Sequence, residues 1–435
     1  MVFAPPFAGL ERREAWLRGT LLLALLLGML ASAPVWRNER AYPRFPLADW
    51  LPVLPAPADL VLYGVMLIAL VAAAWRFRTS TAVFLAAAWF AWAQDQQRGQ
   101  PWFYLYCAML LFCRFPTATA LAACRWAVTA VYFWGGAQKL NARYFELMPA
   151  WFVQPMADWP VPTLAVEAMR WAVWAAPFTE IAFAVGLWVP RLRLATLVAL
   201  TALHGCALLL LGPLGHGYNW VVWPWNLAMI ALAWTLFATR CPRSETEAPP
   251  ATAPVEGGGQ TAQPGALSTS APLPSPPSLP GPCDLTLAGS LAALRRSPAA
   301  LVLTALFTLL PALSFVGRWD SSFSFCLYSE NQAAANVFVT PAFVEQLPPR
   351  LRQYVRSFAA EYDPLHQGPL LFEFQRWCYD DLGVPAFAEP RGYRAMFRHL
   401  RPFAPEPQDL RMIIGPRFGP VIFLEGDLEL RLPRR

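Results

Sequence analysis

Long apolar runs separated by short polar stretches dominate the first 240 residues, and a tenth of that length would suffice to cross a bilayer core of about 20 helical residues. Eight such runs are readable as helical spans: Trp16 to Trp36, Ala58 to Trp75, Thr79 to Gln94, Pro101 to Phe115, Ala118 to Gln138, Val166 to Val189, Leu194 to Gly212 and Trp220 to Ala238. The third and fourth are short, which suits tilted, paired or partly re-entrant segments. Residues 241–296 change character entirely. Over Cys241 to Cys283 Pro, Ala, Ser and Gly dominate, large apolar side chains are scarce, and such a segment cannot bury enough surface to offset its ordering entropy. A ninth run, Pro298 to Val316, follows, with Pro311 as an expected kink.

After residue 317 the pattern shortens. Phe323 to Tyr328 alternates like a strand, Leu370 to Leu382 (closed by Gly383 and Pro385) and Arg391 to Leu400 have helical spacing, and Met412-Ile-Ile and Val421-Ile-Phe-Leu flank a Gly/Pro turn like a hairpin. The expected organisation is a mainly α, polytopic transmembrane bundle of eight or nine spans with a small C-terminal α+β domain. Its divisions are a bundle over 1–240, a linker over 241–296, an additional span over 297–317 and the extramembrane domain over 318–435.

Composition agrees with this pattern. Hydrophobic residues make up 56 % of the 435 and charged residues only 14 %, above the apolar share of soluble domains. The first run has a basic start and the cleavage-like Ala31-Ser-Ala33, but the many spans behind it favour a retained helix. The net charge of +6 sits in loops, with no basic, aromatic-interleaved run, so nucleic acid is set aside. Basic residues beside the spans favour a cytoplasmic N-terminus and, with nine spans, an extracytoplasmic tail. None of the eight Cys forms CxxC or a zinc-like cluster with His; Cys326 and Cys378 could pair in an oxidising compartment.

Ionisable groups inside apolar spans carry the chemical information, because each is costly there unless paired or hydrated. Lys139 is the only lysine among 34 basic residues and sits behind Gly135-Gly136 at a helix end. Codon bias toward Arg and snorkelling to the headgroups are the bland explanations; a base in an apolar pocket is the functional one. Gly135 and Gly136 suit close helix approach or local unwinding. Glu180, well inside the sixth span behind Pro177, reads as a proton acceptor, a partner for Lys139 or Arg170, or a protonated structural residue. Asp95 reads as a solvated cap or Arg98 partner at a helix mouth. His204 and Asn226 lie at membrane depth and suit cross-helix hydrogen bonding; His216 lies in a loop that could cover a site. Arg125 is expected to snorkel.

Three segments together carry a resemblance. Tyr132-Phe-Trp-Gly-Gly-Ala-Gln-Lys139-Leu-Asn141-Ala resembles the lysine segment of the vitamin K-dependent gamma-carboxylase and of its bacterial relatives, the horizontally transferred transmembrane (HTTM) family. Asp95-Gln-Gln-Arg98 through Tyr106 is similar to the preceding Asp-containing segment, and Leu203-His204-Gly with Gly215-His216-Gly through Asn226 to a later helix pair. The resemblance covers about residues 10–240 and implies a bacterial inner-membrane protein. By it, Lys139 is the base that deprotonates a vitamin K-like hydroquinone, whose oxygenation activates glutamate for CO2 addition. Beside Lys139, the residues' own positions make Glu180, His204 and His216 secondary catalytic candidates, and Asp95, Trp102, Gly135, Gly136, Asn141 and Asn226 candidate ligand-site residues. The family's functional histidine falls where this chain has Trp102, which leaves His204 or His216 as substitutes. The partners implied are the lipid bilayer and a quinone or lipid substrate. Two readings from other classes stand beside this one. A non-catalytic, DoxX-like component of a redox or export complex would meet a membrane or extracytoplasmic protein, and a transporter would use Glu180 and His204 as a proton path.

Overall fold

The computed structural model describes residues 10–48, 50–51, 53–217, 219–238, 286–357 and 370–433. Most of the expected linker therefore lies outside the described residues. The bundle opens with α1 (Leu10–Ala31), α2 (Ala33–Trp36), α3 (Ala58–Ala72) and α4 (Phe77–Gln94). It continues with α5 (Pro101–Phe112), α6 (Thr117–Lys139), α7 (Ala142–Val153), α8 (Thr163–Gly186), α9 (Arg193–Leu211) and α10 (Val222–Phe237). Beyond the linker come α11 (Leu287–Arg295) and α12 (Pro298–Leu309).

Helix α6 is the axis of this assembly, with α1, α5, α8, α10, α11 and α12 packed around it. Its sequence explains the position. Ala120, Ala122, Ala123, Ala127 and Ala130 are buried, and such small side chains let neighbouring backbones come close. Arg125 does not snorkel. It is buried and donates to Leu236 O at 3.0 Å, while Arg13 donates to Leu236 O and Ala238 O. Both guanidiniums thus satisfy carbonyls that the last turn of α10 leaves without intrahelical partners.

Among the described residues three helices are long and apolar enough to cross a membrane: Leu10–Ala31, Arg193–Leu211 and the stretch Pro298–Val316. The expected eight or nine are not reached by that measure. Helices α3, α5 and α10 are apolar but shorter, and α6 and α8 carry Arg125, Lys139, Glu167, Arg170 and Glu180. At Pro311 the α-helix gives way to a 3₁₀ turn over Leu310–Val316, the local consequence of a missing N–H donor. Residues 287–295, assigned to the linker by composition, form α11; its Leu294 is buried, and Thr119 on α6 donates to Ala293 O.

The tail is α+β as expected. Strand β1 (Ala334–Val339), helices α13 (Pro341–Gln346) and α14 (Pro349–Arg352), β2 (Val355–Ser357) and β3 (Leu370–Phe372) come first. Then follow α15 (Phe374–Leu382), α16 (Pro390–Leu400), β4 (Leu410–Gly415), β5 (Val421–Glu425) and β6 (Leu428–Leu432). The strands form one antiparallel sheet in the order β2-β3-β1-β4-β5-β6, and the expected hairpin is β4–β5, with Met412 opposite Leu424. Gly383 closes α15 in the left-handed conformation, as its position predicts. Two expectations fail. Leu370–Phe372 is strand rather than helix, because it pairs with β1 and β2. Residues 323–328 are no strand: a 3₁₀ turn leads to Phe325, Tyr328 and Glu330 at positive φ.

Candidate functional site

Lys139 and Glu180 meet. The Lys139 ammonium donates to Glu180 Oε2 at 2.9 Å and to Gly135 O at 3.0 Å, and the two side chains are 9 % and 13 % exposed. The Gly pair creates the contact. A Cβ on Gly136 would lie 2.5 Å from Pro177 O, and one on Gly135 would lie 2.9 Å from Glu180 Oε2. Only glycine lets α6 and α8 cross this closely, and Pro177, which cannot donate a hydrogen bond, belongs to the same crossing. Arg170, the alternative partner for Glu180, pairs instead with Glu167 at 3.1 Å.

Two turns before Lys139 on the same helix lies a second polar group. Tyr132, His204 and Asn226 form a chain whose direction the hydrogen bonds fix. The Asn226 amide donates from Nδ2 to Val222 O at 2.7 Å, so its Oδ1 faces His204 Nδ1 at 2.6 Å and accepts from it. His204 Nε2 is then the acceptor for the Tyr132 hydroxyl at 2.7 Å. Tyr132 is the residue that reading for ionisable side chains passed over. The available signal was spacing: 132, 135, 136 and 139 lie on one helical face.

The other expected site residues stand elsewhere. Asp95 is fully buried rather than solvated. It pairs with Arg40 at 2.5 Å and accepts from Phe45 N and Gln97 N, while Arg98 donates to Val35 O, Trp36 O, Ala91 O and Asn38 Oδ1. Burial pulls Arg98 down to about 10, still charged at neutral pH. Gln96 and Gln97 between them hold the tail: Gln97 accepts from Phe387 N at 2.8 Å and donates to Pro385 O, and Gln96 accepts from Arg391 at 2.7 Å. The Asp95–Arg98 turn is therefore a socket for the tail and for the loop after α2.

Asn141 caps α7 by accepting from Tyr144 N at 3.0 Å and donates to Ser329 O at 2.7 Å. Beside it Gln138 donates to Ser314 Oγ and accepts from Asn331. His216 does not cover Lys139; its ring stacks on Trp151 with centroids 4.0 Å apart and bonds Trp151 O at 2.9 Å. Trp102 is buried against Gly28, where a Cβ would come within 2.6 Å of the indole. Cys326 and Cys378 are both free and buried, so the suggested disulfide is absent; Cys378 Sγ lies 3.4 Å from Val384 O.

Two cavities lie away from Lys139. One of about 590 Å³ separates the loop at 217–220 from the tail residues Glu373, Arg376 and Asp380; another of about 450 Å³ lies between α7 and α8, beside Trp151, Val166 and Arg170. Among the described residues no cluster of His, Cys, Asp and Glu could hold a metal ion. For a quinone the residues do fit in one respect. Trp102 Nε1 and the Tyr106 hydroxyl, neighbours on α5, are two of several buried bundle donors, Trp126 Nε1 and Thr304 Oγ1 among them, that meet no acceptor among the described residues, and carbonyl oxygens on an apolar ring are one group such donors take up. Comparison with protein-family models, with curated proteins and with solved structures gives no match.

Proposed function

We propose that the chain is a polytopic membrane protein of the HTTM and vitamin K-dependent carboxylase-like kind, in which Lys139 and Glu180 together handle a proton of a lipid-soluble ligand of the quinone or lipid class. In this reading it sits in a bacterial inner membrane with its N-terminus cytoplasmic and its tail extracytoplasmic. One observation carries the proposal: the only lysine of the chain and a carboxylate from a second helix meet at 2.9 Å in largely apolar surroundings, at a crossing that two glycines make possible. In low dielectric an ion pair this close holds a proton that either member can surrender to an acceptor. A hydroquinone bound there supplies the acidic hydroxyl and the redox couple. For Lys139 to act as the base, its ammonium proton passes to Glu180; the neutral amine then accepts the hydroxyl proton, the ammonium so formed balances the quinol anion, and Tyr132–His204–Asn226 keeps a neutral, oriented imidazole two turns further along.

The test is recovery of the ligand. The protein is purified in mild detergent, its organic extract is analysed by mass spectrometry, and Lys139→Arg and Glu180→Gln are compared with the parent. Arginine keeps the charge but does not serve as a base near neutral pH. The proposal expects a quinone or related lipid with the parent protein and altered occupancy in both variants. An extract with neither compound in the parent overturns it.

A second reading rests on a different observation. Gln96, Gln97, Gln138 and Asn141, all in the segments that carry the resemblance, bind the tail. This supports a scaffold or assembly role for a DoxX-like component, in which the polar segments position an extramembrane domain for a partner.

A further inference from the structure

Among the described residues one arginine has all three guanidinium nitrogens hidden from solvent and without a hydrogen-bond partner. Arg417 lies in the turn between β4 and β5, and its Nε, Nη1 and Nη2 are all hidden from solvent and lack any acceptor among the described residues. An arginine on a hairpin turn can ordinarily point its head into water. This one is instead held between two rings, with its guanidinium carbon 4.5 Å from the Phe315 centroid and 5.0 Å from that of Phe418. Cation–π contact offsets part of the desolvation but leaves all five N–H donors unused.

The neighbouring acids are engaged. Glu389 accepts from the Ser321 backbone and hydroxyl, both at 2.6 Å, and Asp320 is paired with Arg391. Burial pushes the Cys326 thiol up to about 12, so it contributes no negative charge. A permanently charged fork of donors without an anion is an incomplete site.

Its position says which anion. Phe315 belongs to the last turn of Pro298–Val316, among the described residues one of three helices long and apolar enough to cross a membrane, so in the membrane reading Arg417 sits at the end of such a helix. The surface beside it is apolar and exposed at Leu309, Leu313, Val316 and Phe418. Acyl chains lie along such a wall, and the planar fork of arginine matches two phosphate oxygens. Phe418, itself exposed, covers the guanidinium from a turn that contains Gly419 at φ +87°.

We propose that Arg417 is a phosphate-binding site, covered by Phe418, that takes the headgroup of a phospholipid in the leaflet at the tail end of the bundle. The site is independent of the Lys139 reading.

The test uses the full chain in detergent. Arg417 is first mapped by phenylglyoxal modification and peptide mass spectrometry, with vesicles of phosphatidylglycerol, with vesicles of an uncharged glycolipid, and with inorganic phosphate. Phosphatidylglycerol is expected to slow modification at least about threefold. Phe418→Ala is expected to speed modification without lipid and to keep the protection. Native mass spectrometry should then show one retained phospholipid fewer in Arg417→Gln than in the parent, with Arg417→Lys between them. Protection by inorganic phosphate alone would assign the site to a free phosphate instead. Equal modification under all conditions, in the parent and in Phe418→Ala alike, overturns the proposal; the mapping needs no substitution at Arg417 and stands even if Arg417→Gln fails to fold.

Discussion

Two clusters of ionisable residues lie at helix ends of this bundle, and they have opposite designs. In the Asp95–Arg98 turn every charge is matched: Asp95 has Arg40 and two backbone N–H groups, Arg98 has three carbonyls and an amide oxygen, and both glutamines grip other segments. At the α6–α8 crossing, among the described residues, Lys139 makes two hydrogen bonds with three protons, and Glu180 uses one oxygen. Saturated networks fix a structure; an ion pair with unused capacity can exchange a proton or take a ligand. The difference sets a saturated network that holds the fold against a pair with capacity to spare.

The largest expected effect tests the structural half of that contrast. Asp95→Ala leaves the Arg40 guanidinium buried without a carboxylate and should cost about 3–5 kcal/mol, as for other broken buried pairs. Thermal unfolding in detergent measures it, and a variant as stable as the parent would break the distinction. Gly136→Ala should follow. A methyl 2.5 Å from Pro177 O must push α8 away, at about 1–3 kcal/mol, and should separate Lys139 from Glu180. An unchanged melting temperature together with an intact Lys139–Glu180 cross-link by zero-length carbodiimide would show that the crossing has slack.

Gln97→Ala is expected to loosen the tail rather than the bundle. It strands Phe387 N without its acceptor, at about 1–3 kcal/mol, and should raise proteolysis between the tail and the bundle while α6 stays protected from hydrogen exchange. Uniform loss of protection would mean that the two regions do not separate. The smallest effect is at His216. Burial lowers its pKa from 6.5, so the folded state favours the neutral ring. Its stabilising contribution is present above about 6.5 and is lost as pH falls through the lowered folded value. An NMR titration midpoint above 6.5 would contradict this.

Much of the framework was legible in the sequence, because apolar length, a Gly/Pro turn and a C-capping Gly at 383 act locally. The meeting of Lys139 with Glu180 was legible only as one alternative beside Arg170, because a glycine pair suits close helix approach without saying which helix approaches, and only the fold pairs Arg170 with Glu167 instead. Asp95 was misplaced toward water for a physical reason: its partner Arg40 comes from a loop 55 residues away, and only the fold joins them. The tail-binding role of Gln96 and Gln97 was hidden in the same way, with partners near residue 387. Tyr132 escaped because a tyrosine in an apolar run looks like packing until a histidine from another helix meets its hydroxyl.

The most direct test of the central claim is consumption of an added hydroquinone in proteoliposomes under oxygen, followed in the parent, Lys139→Arg, Glu180→Gln and Gln97→Ala at matched folded fractions. The account predicts turnover in the parent and in Gln97→Ala, and its loss in both crossing variants although these remain folded. Turnover in Lys139→Arg equal to the parent's, or none in any of the four, would contradict it.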